Sequence, residues 1–131
     1  MTMNKEEKDV FDKFVYELER NVVGKRVVDV SFDRLKDKVD LVLETGTILT
    51  LTGYGECCAY GELTFAGRLN TSENVITSLR VEVEDSFSNS FKIFLLSSFN
   101  NMEQETIRVD GSITEGTGYY SYGWDLSVTL A

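Results

Sequence analysis

Val28-Asp29-Val30-Ser31-Phe32-Asp33, then Val39-Asp40-Leu41-Val42-Leu43-Glu44-Thr45-Gly46-Thr47-Ile48-Leu49-Thr50-Leu51-Thr52, decides the fold of this chain. Successive side chains of a strand point to opposite faces, so a period of two marks a sheet with one apolar face. Val28, Val30 and Phe32 alternate with Asp29, Ser31 and Asp33. Val39, Leu41 and Leu43 alternate with Asp40 and Glu44, and Leu49 and Leu51 face one way. Arg34 to Lys38 reads as a loop, and Thr45-Gly46 as a tight turn between strands. The stretch is a three-stranded meander with a polar outer face.

Working outward, the period changes. Towards the N-terminus, Val10, Phe11, Phe14, Val15 and Leu18 follow the i, i+3/i+4 spacing of an amphipathic helix. Asn4 is the expected N-cap with Glu7 in the capping-box position, and Asn21 and Gly24 lie where the helix should stop. The helix is expected over 4–21 and the β domain over 24–131, in one domain spanning 1–131. Its apolar face needs a partner surface, either the sheet or a second copy of the chain.

Towards the C-terminus, residues 57 to 65 read as a strand weakened by glycine, and Arg68 to Asn74 as a loop or short helical turn. Val75 to Glu84 resumes alternation, with Leu79, Val81 and Val83 inward. Asp85 to Ser90 reads as a turn, and Phe91 to Ser98, apolar on both faces, as a central strand covered on both sides. Glu105 to Val109 is a further candidate strand. In the last strand Tyr120, Tyr122, Trp124, Leu126, Val128 and Leu130 share a side. Repeated alternation with short turns predicts an α+β, mainly β fold: an N-terminal amphipathic helix packed on an antiparallel β-sandwich or partly open β-barrel of about seven or eight strands.

Composition narrows the function. An apolar content of 42% with 27% charged residues is ordinary for a globular domain, and the apolar runs are too short to span a membrane. The charged start of the chain lacks the apolar centre of a signal peptide, so the expected setting is cytoplasmic. A net charge of −9 argues against direct nucleic-acid binding, which needs clustered Lys and Arg. The acids are scattered among bases or stand singly, so a nucleic-acid mimic is disfavoured. With no histidine, the chain has no Ser-His-Asp or Cys-His arrangement and no imidazole for acid–base work.

The one stretch that concentrates chemistry is Gly53-Tyr54-Gly55-Glu56-Cys57-Cys58-Ala59-Tyr60-Gly61-Glu62, which holds both cysteines. Adjacent cysteines form a disulfide only through a strained ring, and no third cysteine offers another bridge. Two thiolates without histidine make a poor zinc site, and along a strand they would point to opposite faces. One thiol packed in the core and one in a groove is the favoured reading, with a functional thiol or a transient metal contact as its rivals. Gly116-Thr117-Gly118-Tyr119-Tyr120 lacks the Lys-Ser/Thr of a phosphate loop and is expected to be a hairpin loop. Glu56, Glu62, Asp110 and Glu115 are carboxylates that the sequence cannot pair, and solvated loop acids are their default reading.

Gly24-Lys25, Thr45-Gly46, Gly55-Glu56-Cys57-Cys58, the Val75-to-Val83 strand and the late Tyr-Gly-rich strand together resemble a family of small bacteriophage proteins. That family is recognised by a Gly-Asp/Glu-Cys-Cys block after a meander. The resemblance covers about residues 22 to 130, leaves out the helix, and implies a phage source but no assigned activity.

The resulting expectation is a non-enzymatic, phage-encoded protein acting in the host cytoplasm. It would engage a host protein or sequester a small molecule, for host takeover or counter-defence, with no cofactor, metal or membrane. Its binding residues are expected to be Tyr54, Gly55, Glu56, Cys57, Cys58, Tyr60, Glu62 and Tyr119, with residues 116–120 beside them. Tyrosine offers flat contact area with little rotamer entropy to lose, and glycine lets backbone approach a ligand. The rival account is plain turn chemistry in which Gly53, Gly55 and Gly61 adopt positive φ and nothing binds. A virion-associated structural protein and a thiol- or carboxylate-dependent enzyme are the alternative functions, and a homo-oligomer formed through the helix is a further expectation.

Overall fold

The computed structural model describes residues 5–33, 37–55, 60–67, 75–83, 90–99, 102–115 and 122–130. The amphipathic spacing at the start of the chain forms helix α1, Lys5–Val22, with Phe14, Leu18 and Val22 buried. Glu6 and Glu7 in its first turn and Arg20 in its last complement the helix dipole. Asn4, the expected N-cap, lies outside the described residues. The helix ends where Gly24 takes a φ of 82°, and the Lys25 N–H donates to the Val22 carbonyl at 3.1 Å. An added Cβ at Gly24 would meet nothing within 4 Å, so its only cost is the left-handed backbone. Gly24→Ala is expected to lower stability by about 1–2 kcal/mol, read from urea unfolding, with the native circular dichroism unchanged.

Eight strands follow: β1 Val27–Asp33, β2 Lys38–Leu43, β3 Ile48–Gly55, β4 Tyr60–Gly67, β5 Ile76–Val83, β6 Ser90–Phe99, β7 Met102–Glu115 and β8 Tyr122–Thr129. They form two antiparallel four-stranded sheets, ordered β1-β2-β3-β8 and β4-β7-β6-β5. The fold is therefore α+β and mainly β, a sandwich rather than a closed barrel.

In the first sheet the alternation of the meander becomes rows of side chains. Phe32, Val39, Leu51 and Leu126 lie side by side on the core face, as do Val30, Leu41, Leu49 and Val128. The opposite face carries the polar row Ser31, Asp40, Thr50 and Ser127, in which the Thr50 hydroxyl donates to Asp40 Oδ1 at 2.6 Å. The β2–β3 turn closes where the Gly46 N–H donates to the Leu43 carbonyl at 2.9 Å, with Gly46 at φ 90°.

In the second sheet the core rows are Val83-Phe91-Gly111-Leu63 and Val81-Ile93-Val109-Phe65. One apolar core joins both sheets and the helix. At its centre the Phe91 ring lies 6.1 Å from Phe14 of α1 and 5.0 Å, edge-on, from Trp124 of β8. Phe91 also covers Gly111, its opposite residue on β7, where an added Cβ would fall 2.3 Å from Phe91 Cε1. Glycine across from an aromatic ring lets the ring lie flat on the neighbouring strand.

Four expectations are corrected by this arrangement. A bulge between Val27 and Asp29 puts Val27 in the core instead of Val28, and Phe32, on an edge strand, stays 39% exposed. Leu130 lies beyond the end of β8 and is 76% exposed, although Trp124, Leu126 and Val128 pack on the core as expected. β7 runs Met102–Glu115, well past both ends of the expected Glu105 to Val109. β6 is central in its sheet, but among the described residues no second layer covers its outer face. Phe94 is buried there because Arg80 stacks on its ring at 4.4 Å. Of the loops, 34–36, 68–74 and 84–89 lie outside the described residues.

Candidate functional site

Strand pairing joins four strand ends two by two, and contact between β3 and β4 links the two pairs. β3 ends at Gly55, which pairs with Tyr122, the first residue of β8. β4 begins at Tyr60, which pairs with Glu115, the last residue of β7. These four ends make up one corner of the sandwich and flank residues 56–59 and 116–121, which lie outside the described residues. Tyr54 lies opposite Gly123, and Gly61 opposite Ile113 after a bulge. Such bulges commonly re-aim the chain at the end of a sheet.

Of the expected binding residues, Tyr54, Gly55 and Tyr60 are thus backbone neighbours of this corner, and Glu62 is half-buried on β4. Glu56, Cys57, Cys58 and Tyr119 lie outside the described residues. The turn-only account of the glycines is corrected in part: Gly53 and Gly55 are ladder residues of β3, opposite Trp124 and Tyr122, and Gly61 belongs to β4. Each omits a side chain from a strand instead of making a turn.

Beside this corner a groove of about 520 Å³ lies at the end of the second sheet, where Thr64, Glu82, Ser90, Lys92, Asp110 and Ser112 line it together with Val83, Phe91 and Gly111 of the core row. Glu62 pairs with Ser112, so the expected site is continuous with the groove through one ladder step. Sequence reasoning missed most of these residues, because only the strand register sets them side by side.

The register decides what the groove can do. Glu82, Lys92, Asp110 and Thr64 form one cross-strand row, an alternation of acid, base and acid. Asp110 is held by Arg108 at 3.3 Å on its own strand, and Glu82 by Arg80 at 3.6 Å. Glu62 and Asp110 are diagonal neighbours across β4 and β7. Carboxylates neutralised by adjacent cations suit hydrogen bonding to a polar ligand better than general acid catalysis. Among the described residues no group of three or more His, Cys, Asp or Glu could hold a metal ion.

A family model described as a domain of unknown function, DUF7448, matches residues 20–126. The chain belongs to the DUF7448 family. The match takes in all seven strands from β1 to β7, part of β8 and the whole of the corner, and excludes most of α1. The shared DUF7448 unit is thus the two-sheet sandwich. The helix that completes its core here lies largely outside that unit. No curated protein and no solved structure matches the chain. Among the described residues no helix is long and apolar enough to cross a membrane.

Proposed function

We propose that this protein is a non-catalytic binding protein, encoded by a bacteriophage and acting in the host cytoplasm. It engages a host protein or a small ligand at the corner where β3, β4, β7 and β8 meet. One observation carries the reading: the two Gly/Tyr-rich segments, distant in sequence, connect the same four paired strand ends. Binding surfaces commonly sit on such connections, positioned by a rigid scaffold. The absence of histidine from the chain and the ion-paired state of Asp110 and Glu82 favour binding over turnover. The side chains of Thr64, Lys92 and Ser112 in the groove beyond Glu62 supply hydrogen-bonding capacity alongside the tyrosines.

Affinity capture from host lysate, with mass spectrometry of both proteins and small molecules, tests this reading. A specific partner retained by the Cys57→Ser/Cys58→Ser variant is the expected result. Loss of all biological effect in that variant, with the fold intact, would assign the protein a thiol-dependent function instead. The virion-associated alternative draws on the open edges of the two sheets, and detection of the protein in purified particles would favour it.

A further inference from the structure

β5 is the last strand of its sheet, and its outer edge is paired only at its start. There the Gly24 N–H donates to the Ile76 carbonyl at 2.7 Å, the Ile76 N–H donates to the Lys25 carbonyl at 2.9 Å, and Arg26 bridges Val75. From Ser78 to Val83 no described strand continues that ladder. Alongside lies a groove of about 670 Å³ between α1 and β5. Phe11, Val15, Val23, Leu79 and Val81 form its apolar floor, and Asp12, Tyr16, Glu19 and Arg20 lie on its exposed helical rim. An unpaired strand edge beside an apolar groove is the geometry that accepts another strand.

The charges beside the open edge identify the occupant: Arg80 and Glu82, on the outer face of β5, alternate with Leu79, Val81 and Val83 and lie 3.6 Å apart within one chain. Antiparallel pairing of β5 with a second β5 about a two-fold axis at Val81 sets each Arg80 opposite Glu82 of the other copy. It sets each Leu79 opposite Val83 on the core face. Along the helix, Asp12, Tyr16 and Arg20 are spaced four apart and form one stripe. An antiparallel copy turned about Tyr16 sets Asp12 against Arg20 at both ends. The β5 edge and the neighbouring helix stripe are thus each self-complementary about their own midpoint, as an interface that uses the same patch twice requires. The exposed tyrosine at the centre, with Tyr16 at 61% exposure, is then covered.

We propose that the chain forms a two-fold homodimer through β5–β5 strand addition, with the α1 helices packed across the joined sheet. The two second sheets become one continuous eight-stranded sheet. β5 is the edge of its sheet opposite β4, so the joint leaves the strands of the proposed corner unpaired by the second copy, although Glu82 lies both at the joint and in the groove beyond the corner.

Sedimentation equilibrium over a range of concentrations tests the proposal directly. The expected species is a dimer. Arg80→Glu or Glu82→Arg alone sets like charges together at two symmetric positions and should weaken the dimer about tenfold or more. The double exchange Arg80→Glu/Glu82→Arg should restore it, and a mixture of the two single variants should form the heterodimer in preference to either homodimer. Both side chains are more than half exposed, 56% and 52%, so circular dichroism should stay native. Asp12→Arg and Asp12→Arg/Arg20→Asp give the same contrast on the helix, independently of the Arg80–Phe94 stacking. A monomer at every concentration, or a dimer indifferent to these reversals, overturns the proposal. So does a monomer whose β5 amide resonances move on addition of an alternating Val-Lys peptide, which would assign the groove to a foreign strand.

Discussion

Phe91→Ala is expected to cost about 3–5 kcal/mol in urea unfolding, a large part of what a domain of this size has to lose. The ring is 2% exposed and touches three separate parts of the fold: Phe14 of α1, Gly111 of β7 and Trp124 of β8. Its removal leaves a cavity where helix and both sheets meet, and an aromatic-sized hole bordered by ladder strands cannot collapse easily. Trp124 is the only tryptophan of the chain, so its fluorescence reports the same event. The emission should shift towards that of a solvated indole before the backbone signal is lost. A cost below about 1 kcal/mol would show that Phe91 is not the keystone of this core.

Gly111→Ala should cost about 1–3 kcal/mol or more, although it adds only one methyl group to a strand. Its Cβ would lie 2.3 Å from Phe91 Cε1 and 2.7 Å from Cζ. The ring cannot retreat without disturbing Phe14 or Trp124. The two substitutions are therefore coupled. In Phe91→Ala the methyl at position 111 meets space instead of a ring, so the double variant should be more stable than the sum of the two costs predicts. Strict additivity, measured by a double-mutant cycle, would contradict the contact.

The parts of this fold that the sequence makes legible are those whose cause is local. The i, i+3/i+4 spacing from Phe11 to Leu18 needs only its own helix, and the meander from Val30 to Leu51 needs only alternation and the Gly46 turn. Trp124, Leu126 and Val128 read as one face for the same reason. The misreadings have physical causes of equal clarity. The β1 bulge inserts a residue that no pattern of period two announces, so Val27 and Val28 exchange roles. Gly111 stands where the apolar alternation Ile107, Val109 would continue, and it hides the second half of β7 because the apolar group belonging there comes from Phe91 on another strand.

The candidate site divides in the same way. Clustering of glycine and tyrosine around Tyr54 and Tyr60 is visible in the sequence, and so is the second cluster near Tyr119. That the strands flanking the two clusters pair end to end depends on Gly55 pairing with Tyr122 and Tyr60 with Glu115, contacts between residues more than fifty positions apart. The groove lined by Lys92, Asp110 and Ser112 is equally non-local. The α1–β5 groove was half visible, since the unpartnered apolar stripe of the helix was evident and the open edge of β5 was not.

The central claim is that the corner formed by β3, β4, β7 and β8 is where this protein meets its partner. Capture from host lysate with the Tyr54→Ala/Tyr60→Ala variant, compared with wild type and with Lys13→Ala, an exposed residue of α1 outside the four strands, as a folded control, tests it most directly. The account predicts that the partner is lost with the tyrosine variant and kept with the control, while both variants unfold cooperatively. Undiminished capture by a natively folded Tyr54→Ala/Tyr60→Ala protein would contradict it.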